Sequence, residues 1–187
     1  MLGIPFLKTP ARSKSRLDEL KIKPVLSELV PRAMDLLRDN QPEKAFSLIA
    51  PRHLDDDAPD ELRLVAGHAL AALGRYPEAL GHYTYYLARH PDSVIGLLAA
   101  GLAAARARQL AQASDWFRRA SETATGRVKE LLEPLLDADV HDPVTIGEMI
   151  ADLESFPGDR ERAIALACAL GCAGHFRAVE RFLPIFD

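Results

Sequence analysis

The amino-acid sequence predicts an all-α protein built as a stack of antiparallel helix pairs. From Val25 onward, apolar residues recur at three- and four-residue steps, whereas the strict alternation typical of strands is nearly absent. Turn signals such as Gly74, Pro91 and Gly174 interrupt this pattern, mostly at intervals of about 14 to 19 residues. The segments between them are three to four helical turns long, which is typical of helices in hairpin stacks.

The composition is that of a folded globular protein. Of the 187 residues, 48% are hydrophobic and 27% are charged, a balance that excludes general disorder. The formal net charge of −4 argues against a nucleic-acid partner, because such proteins are usually basic. No run approaches the roughly 18 consecutive apolar residues of a membrane span. Two cysteines are too few for a disulfide scaffold, so we expect a reducing compartment.

The first 24 residues differ from the rest of the chain. They carry six lysine or arginine residues against two acidic ones, and three prolines interrupt any early helix. We expect a mobile basic tail over 1–24 and a single helical domain over 25–187. The opening MLGIPFLKTP lacks the apolar core of a secretory leader, which favours a cytoplasmic location. Arginine outnumbers lysine by 17 to 6, a bias that suggests a GC-rich bacterial genome.

Side-chain size recurs along the chain with a period of about 34 residues. Two tiny positions and one bulky apolar position each occur three times in register. They are held by Ala33, Gly67 and Gly101, by Ala45, Ala79 and Ala113, and by Ile49, Tyr83 and Phe117. Tiny residues let two helices approach closely, and the bulky residue fills the space beside them. Because one such pair cannot bury both of its faces, neighbouring pairs are expected to stack as a solenoid with a concave side.

Residues 60–93, DELRLVAGHALAALGRYPEALGHYTYYLARHPDS, resemble a tetratricopeptide repeat. The residues that carry the resemblance are Gly67, Gly74, Tyr76, Ala79, Tyr83 and Pro91. Residues 94–127 and 160–187 match the pattern moderately, and 26–59 match it weakly. In the unit over 94–127, Arg108 replaces the turn glycine. Residues 128–159 are interpreted as a degenerate unit about two residues short. The resemblance implies a right-handed superhelical stack of these five units.

The resemblance also implies that one face of the first helix in each unit lines a concave groove. In this chain the implied lining is Val30, Met34, Leu37, Arg38, Leu64, His68, Ile95, Leu98, Leu102 and Arg106. A mostly aliphatic lining suits an extended apolar segment or an amphipathic helix, and Arg38 and Arg106 would orient an acidic flank. Alternatively, the groove is covered by the apolar N-terminal or C-terminal residues of this chain, or by a second copy.

The sequence shows no convergent catalytic or metal-binding constellation. A nucleophile elbow, a phosphate-binding glycine loop and a dinucleotide fingerprint are all missing. Asp137, Asp139 and Glu148 have part of the spacing of a calcium-binding loop, but Asp142 stands where that loop requires glycine. Asp142 is instead expected to cap a helix. Cys168 and Cys172 share a helix face without the further ligands of a zinc site. We therefore expect neither catalysis nor a cofactor.

These observations favour a non-enzymatic adaptor or chaperone that binds an apolar or amphipathic segment of a partner protein in its groove. The alternative is a self-associating scaffold subunit of a bacterial assembly, with the groove filled by its own chain. Both hypotheses have a protein or peptide as partner, and the second requires a homo-oligomer.

Overall fold

In the computed structural model, residues 28–55, 58–136, 142–156 and 158–179 are described, and every regular element within them is an α-helix. The predictions of an all-α protein and of helices packed in adjacent pairs are therefore confirmed. The predicted tail over 1–24 lies outside the described residues. The helices are α1 (28–38), α2 (Pro42–Ile49), α3 (Asp60–Ala72), α4 (Tyr76–Arg89), α5 (Val94–Arg106), α6 (Leu110–Thr123), α7 (Gly126–Leu136), α8 (Pro143–Ser155), α9 (Arg160–Cys172) and α10 (Phe176–Val179).

Four of these helices end in the same backbone motif. The residue after each C-cap has a positive φ: 54° at Asn40, 75° at Gly74, 65° at Arg108 and 82° at Gly174. In each case its N–H bonds to the carbonyl three residues back, and the next N–H bonds to the carbonyl five residues back. This is the Schellman arrangement, which satisfies carbonyls left free at a helix end. The ends of α1, α3 and α5 are each separated by one repeat period. The backbone turns that end these helices therefore recur with the same period as the side-chain sizes.

The tiny and bulky positions of the repeat occupy equivalent places. A Cβ added to Gly67 would overlap Cε1 of Tyr83, and one added to Gly101 would lie 2.9 Å from Cε2 of Phe117. Both rings are almost fully buried. In the pair α1–α2 the equivalent residues Ala33, Ala45 and Ile49 are fully buried as well. The pairs α3–α4 and α5–α6 therefore close on the same contact, with a glycine against one aromatic ring, and the equivalent residues of α1–α2 are buried in the same core.

Two positions on α1 are polar, whereas the equivalent positions on α3 are apolar. Arg32 and Asp35 are exposed, whereas their equivalents one repeat period later, Ala66 and Ala69, are fully buried in the core shared by α1, α2 and α3. A polar outer face is typical of the terminal unit of a repeat stack, because no further pair covers it. Within the described residues, α1–α2 is therefore an end of the stack.

The C-terminal helices do not stack in simple chain order. Two helices, α7 and α8, lie in the region interpreted as a degenerate unit, and the helix that packs against α6 and also contacts α5 is α9. Both α7 and α8 lie against α9. The start of α7 is tied to the start of α9 by Arg127, whose guanidinium nitrogens lie 2.8 Å from Asp159 Oδ2 and 3.1 Å from Glu161 Oε2.

Helix α9 makes a close contact with α6 near its own C-terminal end. Gly96, near the start of α5, faces Tyr86 and Leu87 near the end of α4. By contrast, Gly171 at the end of α9 faces Phe117 of α6, where an added Cβ would overlap the ring. The repeating arrangement therefore spans α1 to α6, and α9 meets it in another way.

The contact between Gly67 and Tyr83 predicts the effect of one added methyl group. We expect Gly67→Ala to lower the free energy of unfolding by about 1–3 kcal/mol, because the buried ring must shift. The matched control is Gly81→Ala on α4, where nothing lies within 4 Å of the added Cβ. That change should stabilise the fold by about 0.5–1 kcal/mol, since glycine is unfavourable within a helix. Urea denaturation measures both, and equal effects of the two variants would contradict the packing described here.

The positive φ of Arg108 predicts a stabilising substitution. A non-glycine residue in the left-handed region is strained by about 1–2 kcal/mol, so Arg108→Gly should raise the free energy of unfolding by about 0.5–1 kcal/mol. Arg108→Ala is the control, because it removes the same side chain and keeps the strain. If thermal unfolding shows the same gain for both variants, the gain comes from the lost side chain and not from the backbone.

Candidate protein-binding groove

The implied groove positions form a series that becomes more buried along the stack. Val30, Leu64 and Leu98 are equivalent positions on α1, α3 and α5, each one repeat period apart. Val30 and Leu64 are partly buried, whereas Leu98 is only 1% exposed. Met34 and Leu102 follow the same trend, since Met34 is partly buried and Leu102 is 5% exposed. Val30, Met34 and Leu64 thus keep accessible surface, whereas Leu98 and Leu102 of α5 do not.

The accessible part of the lining is an apolar strip with a basic end. We call Val30, Met34, Leu37 and Leu64 the α1–α3 strip; the α1 members border the core of α1, α2 and α3, and Leu64 borders the larger core. Its three α1 members are spaced by four and then three residues, so they lie on one face of the helix. They pack at the edge of the core formed by α1, α2 and α3 and keep part of their surface free. Arg38 follows one residue later, is exposed and pairs with Asp35.

On α5 the predicted lining belongs to the core. Leu98 and Leu102 are members of the large buried cluster that also contains Ile164 and Cys168 of α9. Within the described residues, α9 and α10 pack against α5 in addition to its repeat neighbours. Ile95 is partly buried, and Arg106 is exposed with its Cζ atom 5.9 Å from the ring centre of Tyr76. On α5 the structure therefore buries Leu98 and Leu102 and leaves Ile95 and Arg106 at least partly accessible.

His68 on α3 contacts Tyr83 on α4. Its Nδ1 lies 3.1 Å from the hydroxyl oxygen of Tyr83, and the two ring centres are 5.4 Å apart. Burial lowers the pKa of His68 to about 4, so the imidazole is neutral at neutral pH. A neutral, hydrogen-bonded histidine supports the packing of Tyr83 and is less suited to binding an acidic group.

The structure brings together two further histidines that no sequence pattern had joined. The rings of His53 and His82 lie 5.0 Å apart, and the Nδ1 atom of His53 is 2.9 Å from the carbonyl oxygen of Ala50. Burial, followed by the nearby His53 and Arg63, lowers the pKa of His82 to about 4, against a smaller opposing effect of Glu78. Their spacing in the sequence matches no ligand or catalytic motif, so only the tertiary structure reveals the pair.

The other candidate positions give no evidence of chemistry. Burial raises the pKa of Cys168 to about 12, which keeps this thiol protonated and unreactive. Asp142 accepts hydrogen bonds from the backbone N–H and hydroxyl of Thr145, each at 3.0 Å, and so acts as the expected helix cap. Asp137 and Asp139 lie outside the described residues. Among the described residues, no three metal-ligating side chains come together.

Comparison of the chain with protein-family models, with curated proteins and with solved structures finds no match. Within the described ranges, none of the helices combines the length and the apolar character required to cross a bilayer.

The buried histidines predict a loss of stability in acid. The pKa values of His68 and His82 are near 4 in the folded protein, whereas an ordinary imidazole titrates near 6.5. At pH values between about 6.5 and 4 the unfolded chain therefore binds more protons than the folded chain. The free energy of unfolding falls as the pH is lowered through this range. Between pH 7 and pH 5, we expect the free energy of unfolding to fall by roughly 1–2 kcal/mol through His68. His82 should contribute less, because it is less deeply buried than His68 and solvent screens the effect.

Urea denaturation at both pH values measures this effect. The double variant His68→Gln, His82→Gln should lose less stability than the original chain between pH 7 and pH 5. An equal loss in both proteins would assign the acid sensitivity to other groups.

Proposed function

We propose that this chain is a non-enzymatic adaptor or chaperone that binds an apolar or amphipathic segment of a partner protein along the α1–α3 strip. The observation that carries the proposal is the change in burial between equivalent positions. Val30, Met34 and Leu64 keep accessible surface, whereas Leu98 and Leu102 are taken into the core. An aliphatic strip that the fold leaves partly open is suited to contact with another chain.

The size of the strip limits what it can hold. Val30 and Leu37 are seven residues apart, which corresponds to about 10 Å along a helix. The proposed ligand is therefore short, about two helical turns or an extended stretch of three to four residues. Arg38, at the end of the strip, would pair with an acidic residue flanking the apolar part, which fixes the direction of the segment.

We propose further that α1 to α6 are three tetratricopeptide-like units of a right-handed superhelix whose concave side carries the strip. The shared helix ends and the repeated contacts of Gly67 and Gly101 with aromatic rings support equivalent units. We place the protein in the bacterial cytoplasm, where small repeat proteins of this composition act as secretion chaperones or assembly factors.

A second candidate function is a self-associating scaffold subunit. The burial of Leu98 and Leu102 favours it, because this part of the lining is already covered within the chain. Under this proposal a second copy covers the remaining α1–α3 strip. Light scattering separates the two functions: the scaffold forms larger species as concentration rises, whereas the adaptor keeps a constant mass.

The binding proposal predicts a specific loss of peptide affinity. The probe is a fluorescein-labelled amphipathic helical peptide with leucines at positions i, i+3, i+4 and i+7, measured by fluorescence anisotropy. Met34→Asp combined with Leu37→Asp should weaken binding by roughly tenfold or more, because both changes place a charge on the apolar contact.

The matched control combines Leu54→Asp with Leu110→Asp, at leucines that are 60% and 51% exposed outside the strip. A peptide of the same composition without the leucine stripe tests whether the pattern is recognised. Equal affinity of both double variants for the amphipathic peptide would place the binding surface elsewhere on the chain.

A further inference from the structure

One tyrosine in the α3–α4 pair lies in contact with two guanidinium groups. The Cζ atom of Arg63 on α3 is 4.0 Å from the ring centre of Tyr85, and that of Arg89 on α4 is 4.2 Å from it. Both distances are well within the range of cation–π contact. Tyr85 and Arg63 are partly buried, and Arg89 is about half exposed. Two positive groups from neighbouring helices are therefore held together on one aromatic ring.

The stacking orders both arginines before any ligand arrives. A guanidinium group that lies on an aromatic face keeps the N–H donors at its edge available for an anion. Since both Cζ atoms lie so close to one ring centre, they are no more than about 8 Å apart, which is within reach of two neighbouring carboxylates. Fixing two long side chains in advance also reduces the entropy lost when a ligand binds.

The charges around Tyr85 are only partly balanced. Arg89 Nε lies 3.5 Å from Asp60 Oδ1, and the other oxygen of this carboxylate lies 3.1 Å from Nε2 of His90. In the part of the chain that the structure describes, no carboxylate lies within ion-pair distance of Arg63. One carboxylate is thus shared by Arg89 and His90, while Arg63 has no carboxylate partner among the described residues. The patch is suited to attract an acidic group.

We propose that Arg63, Tyr85 and Arg89 form a binding site for an acidic protein segment that presents two carboxylates one helical turn apart. Carboxylates at positions i and i+4 of a helix are separated by about 6 Å at their Cβ atoms, which matches the reach of the two arginines. Each guanidinium donates two N–H groups to one carboxylate. The inference does not depend on the α1–α3 strip, and it gives the chain a second, polar binding surface.

The test uses the full chain and a labelled helical peptide with glutamates at positions i and i+4. Arg63→Gln combined with Arg89→Gln should weaken binding by roughly tenfold or more in fluorescence anisotropy, because two charge-assisted contacts are lost. The matched control is Arg118→Gln combined with Arg119→Gln on α6, which removes the same charge elsewhere. If both double variants weaken binding equally, the peptide responds only to net charge and the proposed site is wrong.

A second pair of variants tests the role of the ring. Tyr85→Leu keeps both arginines but removes the stacking, so we expect several-fold weaker binding of the glutamate peptide. Tyr85→Phe keeps the aromatic face and should bind as the original chain does. Circular dichroism confirms that each variant is folded. Unchanged affinity in a folded Tyr85→Leu variant would overturn the proposed ordering by stacking.

A separate experiment tests whether the site recognises carboxylate groups. A peptide with glutamine at the two acidic positions should bind at least roughly tenfold more weakly, and added salt should weaken the glutamate complex. A peptide carrying phosphoserine at one of the two positions is the comparison. If only the phosphorylated peptide binds, the site recognises phosphate and the proposal of an acidic, unmodified segment is wrong.

Discussion

The structure depends on the close approach of paired helices at positions that hold no side chain larger than a methyl group. At Gly67 and Gly101 the facing aromatic rings occupy the space that a Cβ would need. This contact recurs in α3–α4 and α5–α6, one repeat period apart. Side-chain size at these positions therefore sets how closely the paired helices approach.

A close approach of a glycine to an aromatic ring occurs a third time, where α9 packs on α6. Phe117 lies against Gly101 of its own pair and also against Gly171 of α9. The Phe117 ring therefore connects the regular helix pairs to α9, which follows α7 and α8 in the chain. Helix α9 is buried from Ala163 to Gly171, since α5 and α6 contact it from the stack and α7, α8 and α10 contact it as well.

The arrangement of α9 decides which surfaces remain for partners. By packing on α5, it takes part in closing the lining near Leu98 and Leu102, while the aliphatic residues of α1 and α3 stay accessible. The arginines around Tyr85 lie on α3 and α4, within the regular stack. The α1–α3 strip and the arginines around Tyr85 therefore have helix α3 in common.

The sequence by itself determined the helical class, the repeat period and the contact between tiny and bulky positions, because these depend on side-chain size at fixed spacing. Gly74 also indicated where α3 ends, whereas α5 ends before Arg108, which adopts the turn without glycine. Only the tertiary structure decided that α9 packs on α6, that Leu98 is buried and that His53 meets His82. Spacing along a chain specifies which residues share a face of one helix. Which other helix packs against that face depends on all the helices that could cover the same apolar surface. The arrangement with the lowest free energy for the whole chain decides between them.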